Sequence, residues 1–300
     1  MAAAKDKIKK KGKRNRLENK RSGFTWILFL IVFLIFVLYA VSLIYPMLWG
    51  LLTSLKAPLE YQINTGKLLP EKWLFGNYIE AWKNLQYEGT SFIEMLWNSI
   101  WFSVGSILIN MFFLSLASYV MSRYRFRGRT LIYNTIVFSM VIPLYGSFAS
   151  VYRLYYQLRW VNSYLILLSA TGVAGMPLII LSAYFKNLSW SFAESAQIDG
   201  AGHFKVFWSI MLPMAMPILA SMFLLSFIGK WNDYMTALLY LPGKLTLAAG
   251  LFKYKEIAMR YGDVPRLYAG LFICMIPILI LFSLLSKTMM KNMTFGGLKG

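Results

Sequence analysis

The sequence predicts an all-α integral membrane protein with six transmembrane helices and a polar helix-turn-helix between the fourth and the fifth. Three observations predict it. Of the 300 residues, 58% are hydrophobic and only 14% charged, more apolar than a soluble core needs. Six stretches reach the roughly 20 apolar residues that a hydrocarbon layer about 30 Å thick demands of a helix. Basic residues are segregated by segment, as the retention of Lys- and Arg-rich short loops in the cytoplasm leads one to expect.

Residues 1–23 read as a loose basic tail, with ten Lys or Arg between Lys5 and Arg21 and no amphipathic pattern. Each basic residue close to an anionic membrane surface gains about 1 kcal/mol. Nucleic acid, the usual partner of a net charge of +19, is not expected, because the charge is not spread over one folded face. Residues 24–300 read as one transmembrane domain.

The spans are expected near Thr25–Leu52, Phe92–Val120, Leu131–Tyr152, Ser163–Tyr184, Leu212–Trp231 and Tyr268–Lys287. Helices are the assignment because lipid offers no partner to a backbone amide. The first run is too long for the apolar core of a signal peptide and no small-residue cleavage site follows it, so it stays as a span.

Six spans put both termini on one side. With that side cytoplasmic it holds the tail, Arg123, Arg125, Arg127, Arg129, Lys186, Lys205, Lys287, Lys291 and Lys299, nineteen of the 31 basic residues, but only four of the 12 acidic ones. Two larger segments, Lys56 to Ser91 and Asn232 to Leu267, then face outward.

The polar segment "ESAQIDGAGHFKVFWSIMLP", Glu194 to Pro213, contains the chain's single histidine. Ser191 and Glu194 have the spacing of a capping box. Gly200 and Gly202 let the chain turn, and Phe204, Phe207, Trp208, Met211 and Leu212 resume an apolar face at helical period. One reading is a surface elbow between spans. The other is a docking helix, because Phe192, Ala193, Ala196 and Ile198 are more apolar than a solvated linker needs.

Glu194, Ala196, Asp199, Gly200, Ala201, Ile210, Leu212 and Pro213 resemble the "EAA…IDGA…LP" loop of permease subunits of bacterial ABC importers, in the maltose-type carbohydrate branch. "NS" at Asn98–Ser99, "SYVMSRYRFRGR" at Ser118–Arg129, "IPLYGSF" at Ile142–Phe148, "WNDY" at Trp231–Tyr234 and the ending "GGLKG" fit the same family. The sequence departs from the pattern at Ser195, where the family has a second alanine, and at Ser189, where it generally has proline.

The resemblance implies a bacterial plasma-membrane subunit whose coupling helix is formed by Glu194, Ser195, Ala196, Ile198, Asp199, Gly200, Ala201 and Gly202. It implies as partners a second permease subunit, a dimer of ATPase subunits, an extracellular substrate-binding protein and a carbohydrate, with ATP and Mg held by the ATPase and no cofactor on this chain. A non-sugar solute, or an autonomous carrier or channel with the polar loop as elbow, are the alternatives.

In the second span Asn98, Ser99, Ser103, Ser106 and Asn110 place polar groups on one side of the helix, which reads either as pathway lining or as helix packing. Tyr145 joins them as a ring able to stack on a sugar. The arginine-rich loop Arg123–Arg129 reads first as a topology anchor, with a phosphate or lipid site as the alternative.

Enzymatic chemistry finds no support. None of the Gly-Lys pairs at Gly66, Gly229 and Gly243 has the upstream glycine of a phosphate-binding loop. The single Cys274 and single His203 provide no metal-ligand cluster.

Overall fold

The computed structural model describes residues 23–141, 148–172 and 175–295. Among them four helices are long and apolar enough to cross a membrane, Thr25–Ser54, Phe92–Arg123, His203–Trp231 and Val264–Ser286. The basic tail, Tyr145 and the ending "GGLKG" lie outside the described residues.

Helix α1 (Gly23–Ser54) touches the rest of the chain mainly at its end. There Trp49 meets Tyr268 edge-on at 5.5 Å, and Gly50 approaches so closely that a Cβ would lie 3.1 Å from the Tyr268 ring. From 26 to 48 every side chain is exposed.

The segment after α1 folds as α2 (Pro58–Ile63), α3 (Gly76–Asn84) and a short antiparallel hairpin, β1 (Gln86–Tyr87) with β2 (Thr90–Ser91). Its anchor is polar. Lys56 is fully buried and its ammonium donates to the Lys67 carbonyl, while Asn77 Nδ2 donates to the carbonyls of Ser54 and Lys56, both at 2.8 Å.

Helix α4 (Phe92–Arg123) is the spine. It opens with a true capping box: Ser91 N donates to Glu94 Oε2 at 2.8 Å and Glu94 N donates to Ser91 Oγ at 3.3 Å. The same spacing at Ser191–Glu194 predicts a second box, and there the structure corrects the sequence. Helix α8 (Ser191–Ile198) is capped by Trp190 without any side-chain hydrogen bond, and Ser191 Oγ pairs with Ser189 Oγ at 2.7 Å.

The expected third span falls on two short helices, α5 (Arg129–Ser139) and α6 (Phe148–Gln157), on either side of residues outside the description. The expected fourth span is a 3-10 helix, Tyr164–Thr171, followed by α7 (Met176–Asn187), a bent pair inclined by 59° that supplies a fifth candidate span.

The fifth expected span begins earlier than composition suggests, as α9 (His203–Trp231), whose turn over Phe207–Met211 is widened to π geometry. The cause lies just beyond: Pro213 has no amide to donate back along the helix, and its ring crowds the carbonyl four residues earlier. The apolar stripe divides there. Phe207 and Met211 are buried, whereas Phe204 and Trp208 stack on each other at 6.3 Å on an exposed side.

After α9 come α10 (Tyr234–Tyr240), α11 (Leu247–Tyr261) and α12 (Val264–Phe295). Among the described residues the apolar interior forms two larger cores, with two smaller clusters around Tyr240 and Leu245. One of the larger cores joins Leu85, Phe92, Met95, Phe227, Trp231, Leu251 and Leu267; the other joins Tyr119, Leu181, Phe185, Ala193, Phe207 and Met211, and it carries the polar segment.

Candidate functional site

The polar segment is seated by one side and open on the other. Ala193 is fully buried against the second core, and Ala196 and Ala201 are half-buried beside it. Glu194, Ser195, Ile198, Asp199, Gly200 and Gly202 are exposed, Ile198 at 86% and the neighbouring Phe192 at 54%. Neither Glu194 nor Asp199 makes an ion pair among the described residues.

Helix α8 ends in a two-bond cap. Ala201 N donates to Ala196 O at 2.8 Å and Gly200 N donates to Gln197 O at 3.0 Å, with Gly200 in the left-handed region at φ +83°. This satisfies carbonyls left over at the helix end, and glycine is the residue that adopts that φ without steric cost. Gly202 is extended (φ −68°, ψ 162°) and leads straight into α9.

What holds the segment comes from the end of α4. The Arg123 guanidinium donates to the Leu188 carbonyl and lies over the Trp190 ring, 5.0 Å from its centre. Tyr124 OH and His203 Nδ1 are hydrogen-bonded at 3.0 Å, and their rings meet edge-on. Buried Tyr119 packs against both Phe185 and Phe207. Sequence reasoning singled out Arg123 only as part of the arginine-rich loop and missed its part, with Tyr124 and Trp190, in holding this segment. Their contacts join distant parts of the chain, and no local pattern signals them.

Asn98, Ser99 and Asn110 of α4 have hydrogen-bond partners inside this chain. Ser99 Oγ accepts from Leu247 N at 2.7 Å and donates to Met95 O at 2.9 Å. Asn98 Nδ2 donates to Leu245 O at 3.1 Å, and Asn110 Nδ2 donates to the carbonyls of Ala170 and Gly172, both at 3.0 Å, closing the end of the 3-10 helix. Ser103 and Ser106 are buried, and Ser103 Oγ has no hydrogen-bond partner. The structure therefore gathers these groups at helix contacts.

Among the described residues no three His, Cys, Asp or Glu lie together as a metal site. The geometry is that of a short helix whose flanks are tied to the end of α4 and which presents an apolar and acidic surface.

Residues 111–294 match the family model described as binding-protein-dependent transport system inner membrane component. The chain is 29% identical over 267 residues, 87% of its own length and 85% of the relative's, to the diacetylchitobiose uptake system permease protein NgcG of Streptomyces coelicolor. It is 30% identical over 258 residues, 83% and 89% of the two chains, to the melibiose/raffinose/stachyose import permease protein MelC of Bacillus subtilis. Among solved structures, a bacterial ABC transporter involved in the import of the acidic polysaccharide alginate shares the fold, with a TM-score of 0.73 at 24% identity over 89% of this chain and 98% of that one.

Proposed function

The chain belongs to the family of binding-protein-dependent transport system inner membrane components, and from that membership we propose that it is a permease subunit of an ATP-driven importer of carbohydrate, with an oligosaccharide as cargo. Relatives named for the uptake of diacetylchitobiose and of melibiose, raffinose and stachyose support the cargo class.

The pathway in this reading is completed by a second permease, with a dimer of ATPase subunits below and a substrate-binding protein above. Six spans, both termini in the cytoplasm, and Glu194 to Gly202 as the coupling helix are part of the proposal. ATP and Mg belong to the ATPase, which pushes on α8, and the spans respond by alternating access.

The single observation that carries the coupling role is the two-sided seating of α8, with Ala193 fully buried and Phe192 and Ile198 exposed. A free surface helix has no use for such side chains, whereas a partner cleft buries them. The test is co-purification from native membranes. The wild-type chain is expected to bring down an ATPase whose activity rises with binding protein and oligosaccharide, and a Phe192→Glu, Ile198→Glu variant is expected to reach the membrane without it. A wild-type chain that purifies alone and still moves solute would establish an autonomous carrier instead.

A further inference from the structure

The arginine-rich loop does more than mark a side of the membrane. A cavity of about 360 Å³ opens between the end of α4, the first turns of α5 and the last turns of α7. Its polar lining is Ser122, Arg129, Thr130, Tyr133, Ser182 and Lys186. No carboxylate lines it, and among the described residues neither Arg129 nor Lys186 is in an ion pair. Ser122 Oγ is already given to the Tyr119 carbonyl at 2.9 Å, but Ser182 Oγ is buried and makes no hydrogen bond.

Two cations from different helices facing one small cavity repel each other unless an anion sits between them. A buried hydroxyl without a partner forfeits about 1–3 kcal/mol until something accepts from it or donates to it. The start of an 11-residue helix adds favourable dipole at the same spot. Arginine's forked donors, a lysine point charge and hydroxyls suit a tetrahedral oxyanion. Basic pockets between helices at the cytoplasmic surface are also where lipid headgroups settle.

We propose that this cavity is a phosphate site, filled by the phosphodiester of an anionic phospholipid or by a free phosphate anion. The site depends on the orientation proposed above, but its test needs neither sugar nor ATP, so it succeeds or fails apart from the coupling role. Because Lys186 lies two residues before Leu188 and Ser122 adjoins Arg123 in the chain, an occupant there steadies the base of α8.

The assembled transporter is placed in nanodiscs of phosphatidylcholine with phosphatidylglycerol, and retained lipid is counted by native mass spectrometry. The wild type is expected to hold one more phosphatidylglycerol than an Arg129→Gln, Lys186→Gln variant. Ala183→Leu, which narrows the mouth at an exposed position and keeps both charges, is expected to lose that lipid as well, which separates occupancy from topology or folding. In a second arm, complexes in phosphatidylcholine alone are melted with and without inorganic phosphate. A rise in melting temperature confined to the wild type, without extra retained lipid, identifies free phosphate as the occupant. Equal lipid retention in all three proteins together with no phosphate-dependent rise overturns the proposal.

Discussion

Arg123, the last residue of α4, stands over the indole of Trp190, the residue that caps α8, with 5.0 Å between guanidinium carbon and ring centre. This contact and the bond to the Leu188 carbonyl tie a helix of membrane-spanning length directly to the polar segment. The proposed coupling role needs such a tie.

Arg123→Ala is therefore expected to cost on the order of 2–4 kcal/mol, the sum of a part-buried cation-π contact at about 0.5–1 and a charged hydrogen bond at about 1.5–3. Arg123→Lys keeps the charge but loses the planar fork, and falls between. The measurements are the melting temperature of the complex and the ratio of ATP hydrolysed to sugar moved. An alanine variant with both at the wild-type value would show that the clamp carries no load.

Gly200→Ala and Gly202→Ala form a matched pair. Neither position has an atom within 4 Å of the added Cβ, so only backbone conformation separates them. At φ +83° an alanine costs about 1–2 kcal/mol, whereas at the extended Gly202 it costs little. ATPase activity stimulated by binding protein is expected to fall in the first variant and to persist in the second.

Ser99→Ala and Ser103→Ala separate packing from pathway. The first strands the Leu247 amide, at about 1–3 kcal/mol, and the second removes a hydroxyl that has no partner and is neutral or slightly stabilising. Thermal melting reads the difference. A change in sugar selectivity with unchanged stability in either variant would place that serine in the translocation pathway.

A pH dependence follows from Tyr254, outside the spans. Burial, reinforced by the 2.5 Å hydrogen bond it donates to Asp263 Oδ2, pushes its phenol up from 10.0 to about 12. A raised acid is stabilised in its protonated form, so the contribution is complete below the unfolded value of 10.0 and is lost as pH rises through about 12. Stability is expected to drop across that window, and the drop to shrink in Tyr254→Phe. An identical pH profile in the variant would assign the loss to other groups.

The long apolar helices could be read directly, because length and uniform hydropathy suffice where lipid is the solvent. The caps could not. Ser91 and Ser191 stand in the same relation to a glutamate, yet only Ser91 is extended (φ −74°, ψ 160°) and so able to receive an amide from the helix it precedes. At the other site Trp190 is already αR, which puts Ser191 inside the helix. The serine spacing in α4 correctly gave an inward side and left open what that side would meet. The turn at Gly200 was legible because only a few residue types occupy that conformation. The Arg123 clamp was not, since nothing in a linear sequence records which distant ring lies beneath a cation.

The widened turn at Phe207–Met211 takes up one residue without changing the angular phase of what precedes it. A π-turn accommodates one residue more than an α-turn, and one residue is worth about 100° of rotation. Deleting a single residue from this turn would leave both flanking helices intact. The turn would close to ordinary α geometry, and Phe204 and Val206 would keep the sides on which they now lie. At this point in the chain one residue can be lost without turning either flanking helix, so a one-codon deletion here is a lesser insult than the same deletion in an α-helical turn nearby.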